Sequence, residues 1–222
     1  MVGCGDDDNS GSEVVSSFLG ATLNLSGQVW TRGYDYNFNE RFNGSMAISF
    51  GYSEYDEDNY VYNWIDIGGS GSVTTGQLSF TIGTPSVLSS SNFDGYEEIY
   101  TNFKVSNTNI RGAIIREFKT SDGFIARGNG IMTHSLREFL NFIYVDRDVS
   151  ITGTGKTMKL PGNAYTTIFQ NINLNLKTGW NAVYYKDDYD EDTNTNTEAY
   201  IPGDQSHFRW IFENYYDDDE EW

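Results

Sequence analysis

Apolar and polar residues alternate with a period of two through much of this chain. Leu23, Leu25 and Val29 alternate with Asn24, Ser26 and Gln28, with Gly27 keeping the register. Met46, Ile48 and Phe50 stand against Ser45 and Ser49, and Leu78, Phe80 and Ile82 against Gln77, Ser79 and Thr81. Successive side chains of an extended chain point to opposite faces, so each run predicts a half-buried strand. The pattern returns at Ile99, Phe103 and Val105, at Ile172, Leu174 and Leu176, and at Phe208, Trp210 and Phe212. Helical spacing is almost nowhere sustained. The exception is Ser135-Leu136-Arg137-Glu138, which fits a capping box and predicts one or two helical turns with Leu136, Phe139 and Leu140 on one face. Strand periodicity resumes at Ile143, Val145, Val149 and Ile151.

Turn residues separate these runs. Gly68-Gly69-Ser70-Gly71 precedes Val73, and Ser121-Asp122-Gly123 divides Arg111–Lys119 from Phe124–Thr133, which predicts a hairpin. Asn, Asp and Gly tolerate positive φ, so Asn43-Gly44, Pro161-Gly162 and Pro202-Gly203 are further expected reversals. Roughly ten strands result, an all-β chain expected to form a two-sheet antiparallel β-sandwich, with a closed β-barrel as the alternative. Long loops at 32–42, 52–60, 84–96 and 186–198 are rich in Tyr, Asn, Asp or Ser. Function on a β scaffold commonly sits in such loops.

Composition fits this picture and narrows the partners. The chain has 222 residues, with 16 Tyr, 14 Phe and 5 Trp to fill a core, and it reads as one β domain over 18–214. Residues 1–17 read as a flexible acidic tether and 215–222 as an acidic tail. A net charge of −18 leaves no basic surface to release phosphate counterions, which argues against nucleic acid as a partner. Charge is also segregated: residues 101–180 carry ten Lys or Arg against five acids, whereas 187–222 carry thirteen acids and the single base Arg209. The acidic end reads either as solvated surface or as a place for cations.

Candidate chemistry is sparse. Gly155-Lys156-Thr157 ends like a phosphate-binding loop, but Ser150 stands where that loop needs glycine and Met158-Lys159-Leu160-Pro161-Gly162 leads to a turn instead of a helix. His134 and His207 lack neighbouring nucleophiles, no Gly-x-Ser-x-Gly elbow occurs, and no zinc-ligand spacing is present. A non-enzymatic role is therefore expected, while abundant carboxylates keep a glycosidase-type acid and base pair as the alternative. Asp188, Asp190 and Asp192 supply alternating oxygen ligands and resemble half an EF-hand calcium loop, making calcium the one candidate cofactor. That resemblance stops at Thr193, where the loop glycine belongs, and at Ala199, where the bidentate acid belongs. Asp56-Glu57-Asp58 is a poorer cluster of the same kind. Tyr34, Tyr36, Tyr52, Tyr55, Tyr60 and Tyr62 lie in or beside polar loops, placed either to stack on sugars and partners or to cover a sheet edge.

Cys4 is the only cysteine, which rules out an internal disulfide. It lies in Met1-Val2-Gly3-Cys4-Gly5 and is followed by Asp6-Asp7-Asp8-Asn9-Ser10-Gly11-Ser12. A small residue before the cysteine and an acidic polar run after it resemble the lipobox and mature start of a bacterial lipoprotein, although Met1 stands where that family usually carries Leu. Otherwise Cys4 is a free thiol on a frayed terminus. The resemblance implies diacylglycerol on Cys4, an anchor strong enough for stable membrane attachment. The acidic stretch resembles export signals of surface-displayed lipoproteins of the Gram-negative type, implying a lipid-anchored, extracytoplasmic location at the outer membrane or cell surface. Leu174 to Tyr184, centred on Gly179-Trp180-Asn181, is similar to a strand-turn-strand segment of such surface lipoproteins. There Gly179 permits a bend and Trp180 can plug one end of the core. These readings lead to a lipid-anchored envelope protein with a binding, adhesion or scaffolding role, its partners the membrane through Cys4 and a protein or glycan ligand. The alternatives are a glycan-binding or glycan-processing surface protein and a barrel-shaped carrier of hydrophobic ligands.

Overall fold

The computed structural model describes residues 17–31, 40–56, 61–89, 96–128, 136–159, 165–203 and 208–214. Eight strands come first: β1 (Phe18–Gly20), β2 (Leu23–Thr31), β3 (Glu40–Arg41), β4 (Met46–Ala47), β5 (Gly51–Asp56), β6 (Val61–Asp66), β7 (Ser70–Thr74) and β8 (Gln77–Ile82). A single helical turn, α1 (Tyr96–Ile99), leads into β9 (Tyr100–Val105), β10 (Gly112–Ile115), β11 (Glu117–Lys119), β12 (Gly123–Gly128), β13 (Leu136–Val145) and β14 (Val149–Gly155). The last six are β15 (Thr157–Met158), β16 (Thr166–Phe169), β17 (Ile172–Leu176), β18 (Gly179–Asp190), β19 (Thr195–Pro202) and β20 (Arg209–Asn214).

The fold is all-β and sandwich-like. A fifteen-stranded sheet follows the path β15-β16-β19-β18-β13-β12-β20-β2-β8-β7-β4, with β1 beside β18, β10 beside β13, β11 beside β12 and β3 beside β2; a three-stranded sheet is ordered β17-β14-β9, and β5 pairs with β6. Pairing is antiparallel except at β16–β19 and β2–β20, so the large sheet is mixed where the sequence pattern suggested a purely antiparallel one. The path ends at β4 and β15 without closing, so the barrel alternative is not what forms. Twenty strands appear among the described residues where the periodicity suggested roughly ten. Short breaks account for much of the difference: at Arg116, for example, one apolar run divides into β10, which pairs with β13, and β11, which pairs with β12.

The centre of the molecule is buried on both faces. On β13 and β18, Leu140, Phe142, Tyr144, Trp180, Ala182 and Tyr184 join one core cluster. Ile143, Val145 and Val183, at alternate positions, join a second. Each cluster has its own cover. The small sheet packs Ile151, Ile172, Leu174 and Leu176 on the second cluster, while Leu78, Phe80, Ile82 and Val73 of β7 and β8 close the first. The sheet folds over through β2, which pairs with β8 along Leu23–Gln28 and with β20 at Val29 and Trp30. Gly27 makes the approach possible, because a Cβ there would lie 2.8 Å from the Trp210 ring. Between the layers Phe50, Phe80, Phe118, Phe142 and Trp210 form a contiguous aromatic cluster with contacting centroids 4.7 to 6.0 Å apart.

The helical turns expected around Leu136, Phe139 and Leu140 do not form. Leu136–Val145 is a ten-residue strand, because pairing with β18 along its whole length and burial on both faces outweigh a local capping signal. The hairpin at Ser121-Asp122-Gly123 forms as expected, with Lys119 opposite Phe124 and the turn closed by Thr120, whose Oγ1 accepts from Gly123 N at 2.9 Å. Gly179 also acts as expected, with φ +114° where the chain enters β18. Trp180 is fully buried, and its Nε1 donates to Gly83 O at 2.9 Å.

Candidate functional site

The small sheet leaves part of the second face of β13 and β10 uncovered. A cleft of about 80 Å³ opens there, lined by Ile114, Ile143, Ile151, Ile172 and Leu174 together with Tyr96, Arg116, Asn141 and Tyr200. Strand alternation places the polar members. Asn141 lies two residues before Ile143 on β13, and Arg116 follows Ile114 by two where β10 ends. Because Ile114 is opposite Ile143, the same antiparallel register carries Arg116 to Asn141. Arg116 Nε donates to Asn141 Oδ1 at 3.2 Å, and Asn141 is itself buried. The guanidinium carbon lies 5.4 Å from the centre of the Tyr185 ring and 5.9 Å from that of Phe139. Among the described residues no carboxylate forms a salt bridge with Arg116, and its terminal nitrogens make no hydrogen bond to protein.

Tyrosines build the adjoining wall. Tyr96 stacks on Tyr100 and Phe103 at 6.1 and 5.8 Å, with interplanar angles of 8° and 13°. Tyr200 meets Tyr96 edge-on at 5.9 Å and Tyr185 at 5.1 Å. Burial pushes all three phenols above their ordinary range, so each keeps its proton at neutral pH. Tyr185 Oη donates to Glu198 Oε2 at 3.0 Å. Glu198 lies directly opposite Asp187 across β18 and β19. Its carboxyl is raised chiefly by burial, with the Asp187 charge adding to the rise and the Tyr185 hydrogen bond opposing it. The polar strip continues to Asn196 and, across the parallel β16–β19 pair, to Thr167. Thr167 Oγ1, Asn196 Oδ1 and the hydroxyl of Tyr100 are buried without a hydrogen-bond partner among the described residues. Each such group costs on the order of 1–3 kcal/mol.

The acidic loop singled out as a calcium candidate is a hairpin that satisfies itself. Asp188 pairs with Lys186 at 2.8 Å, and Asp190 Oδ1 accepts from the backbone nitrogens of Asp192 and Thr193 at 2.9 and 3.3 Å. Among the described residues no group of three or more His, Cys, Asp or Glu is arranged to hold a metal, so Asp188, Asp190 and Asp192 are not brought together as a cation site. Lys156, from the near-match to a phosphate loop, donates to Glu98 O at 2.7 Å. The histidines, Cys4, Tyr34, Tyr36, Tyr60, Glu57, Asp58, the acidic tail and the Pro161-Gly162 turn lie outside the described residues. Asp56, Tyr52, Tyr55 and Tyr62 belong to the separate two-stranded pair of β5 and β6.

None of the cleft's polar residues stands out as a motif. The available signal was Asn141, a lone amide inside Phe139-Leu140-Asn141-Phe142-Ile143, together with Arg116 interrupting Gly112-Ala113-Ile114-Ile115. A polar residue at a core-facing strand position needs a partner, and these two partner each other. Fold and cleft together define a sandwich-like β protein with a small opening between its sheets. No protein-family model, curated protein or solved structure matches the chain.

Proposed function

We propose that this chain is a non-enzymatic sugar-binding module of the bacterial envelope, held at the membrane by lipid on Cys4 and taking its ligand in the cleft between its sheets. The cleft carries the reading. Small-molecule sites are concave and mostly apolar, with a few convergent polar groups that fix orientation. Here five aliphatic side chains meet two phenols, one amide and one guanidinium. Tyrosine rings offer flat apolar surface to the C–H face of a sugar, while the polar groups suit its hydroxyls. A volume of about 80 Å³ receives part of one sugar ring, with Tyr96 and Tyr200 among the side chains that line it.

Incubating the protein with an array of glycans and assaying released reducing ends tests both parts. Retention of a glycan without release is the expected result, and release contradicts a pure binding role. A glycan-processing reading draws on Asp187 and Glu198, opposed across β18 and β19, with burial raising the Glu198 carboxyl. It predicts release that is lost in Glu198→Gln. For the anchor, intact-mass measurement of membrane-fraction protein should find acyl mass on Cys4, and an unmodified thiol there would contradict it.

A further inference from the structure

We infer that the sugar taken by this cleft carries a carboxylate, and that Arg116 recognises it; the inference rests on the sugar-binding reading. The protein has 32 acidic residues and 14 Lys or Arg, so carboxylates outnumber basic side chains more than two to one. Yet the side chain that fixes Arg116 is a neutral amide, Asn141, and among the described residues no acid forms a salt bridge with it. A purely structural arginine gains most from a bidentate carboxylate partner, which neutralises it. This one is oriented by an amide, and the charge of its chain neighbour Glu117 acts on it only through space, without a salt bridge.

Its orientation suits an incoming anion. Nε is held by Asn141, and the guanidinium plane rests by the rings of Tyr185 and Phe139, which restricts the long side chain before any ligand arrives. The terminal nitrogens remain as donors in the fixed fork geometry that matches a carboxylate. The residue is exposed at the edge of the cleft, so a ligand can reach it. Size limits the occupant as well: about 80 Å³ takes a carboxylate and the carbon that bears it, with the remainder of the ring at the tyrosines. A net charge of −18 repels polyanions at long range, which favours a single terminal uronic acid over a polyuronate chain.

The test follows backbone amide shifts while the intact protein is titrated with galacturonate or glucuronate, with the methyl ester of each, with galactose or glucose, and with acetate. The uronates should bind at least about tenfold more tightly than their esters, a difference of about 1.4 kcal/mol. Arg116→Gln should remove that preference, and Arg116→Lys should keep only part of it, because the charge remains and the fork is lost. Equal affinity for acid and ester overturns the inference and leaves the sugar-binding reading standing, and that comparison needs only the unaltered protein. Persistence of the preference in a folded Arg116→Gln also overturns it. Acetate binding as tightly as the uronates, or no binding of any sugar, overturns both.

Discussion

Gly179 sits where the chain leaves β17 in the small sheet and enters β18 at the centre of the large one. Its φ of +114° is a conformation that side chains with a Cβ rarely adopt, and a Cβ there would lie 2.6 Å from Gly20 O. Two residues later Asn181, fully buried, holds the bend from inside. Its Nδ2 donates to Lys177 O at 2.8 Å and Gly179 O at 3.0 Å, while its Oδ1 accepts from Lys177 N at 2.9 Å. Gly179→Ala should therefore lower stability by about 1–3 kcal/mol through backbone strain, read as a lower urea midpoint at unchanged slope. A midpoint equal to that of the parent would mean that the bend relaxes without cost. Gly179 and Trp180 were legible in the sequence, because a glycine beside a tryptophan between two apolar runs points to a sharp reversal capped by a large ring. Asn181 was not, since nothing local distinguishes a buried bracing amide from a solvated one.

At the scale of elements, two arches carry the chain between the sheets, β13 to β14 and β17 to β18. Asp148 ties them together. Its Oδ1 accepts from Thr178 N at 2.9 Å and Thr178 Oγ1 at 3.0 Å, and its Oδ2 receives Lys177 Nζ at 2.9 Å. The backbone bond from Thr178, followed by the Lys177 contact, holds the Asp148 carboxyl at about 2, below its ordinary 3.8. A carboxyl depressed in the folded state binds fewer protons there than when unfolded. Its contribution is thus complete above about pH 4 and is lost as pH falls toward 2. Asp148→Asn should melt below the parent at pH 7, and the gap should narrow between pH 4 and pH 2. A gap independent of pH would show that the charge does not bind the arches.

Elements differ in how far the sequence reveals them. β8 and β17 alternate cleanly between buried and exposed positions because each faces one core and solvent, so period two was visible. β13 lies between two cores and shows an almost continuous apolar run, which does not separate strand from helix by periodicity. The cleft was hidden for a related reason: Arg116, Asn141, Tyr96 and Tyr200 come from four separate segments and meet only through strand pairing.

Over the whole molecule, the central strands β13 and β18 contribute side chains to both hydrophobic clusters. Neither cover can detach without exposing a face of the same two strands. Unfolding should accordingly be one cooperative transition, with tryptophan fluorescence and far-ultraviolet circular dichroism giving coincident denaturation curves. Separated curves would divide the chain into independent units. The shared centre also makes the cleft rigid on one side, since β10 and β13 are fixed from beneath, while α1 and the small sheet form its other side. The central claim is that this cleft, and no other surface, receives the ligand. The most direct measurement is a map of backbone amide shifts as a bound glycan or uronate is titrated in. The largest shifts are expected at Ile114 to Arg116, Asn141 to Ile143, Tyr96 and Tyr200. Saturable binding that moves amides elsewhere and leaves these unchanged would contradict it.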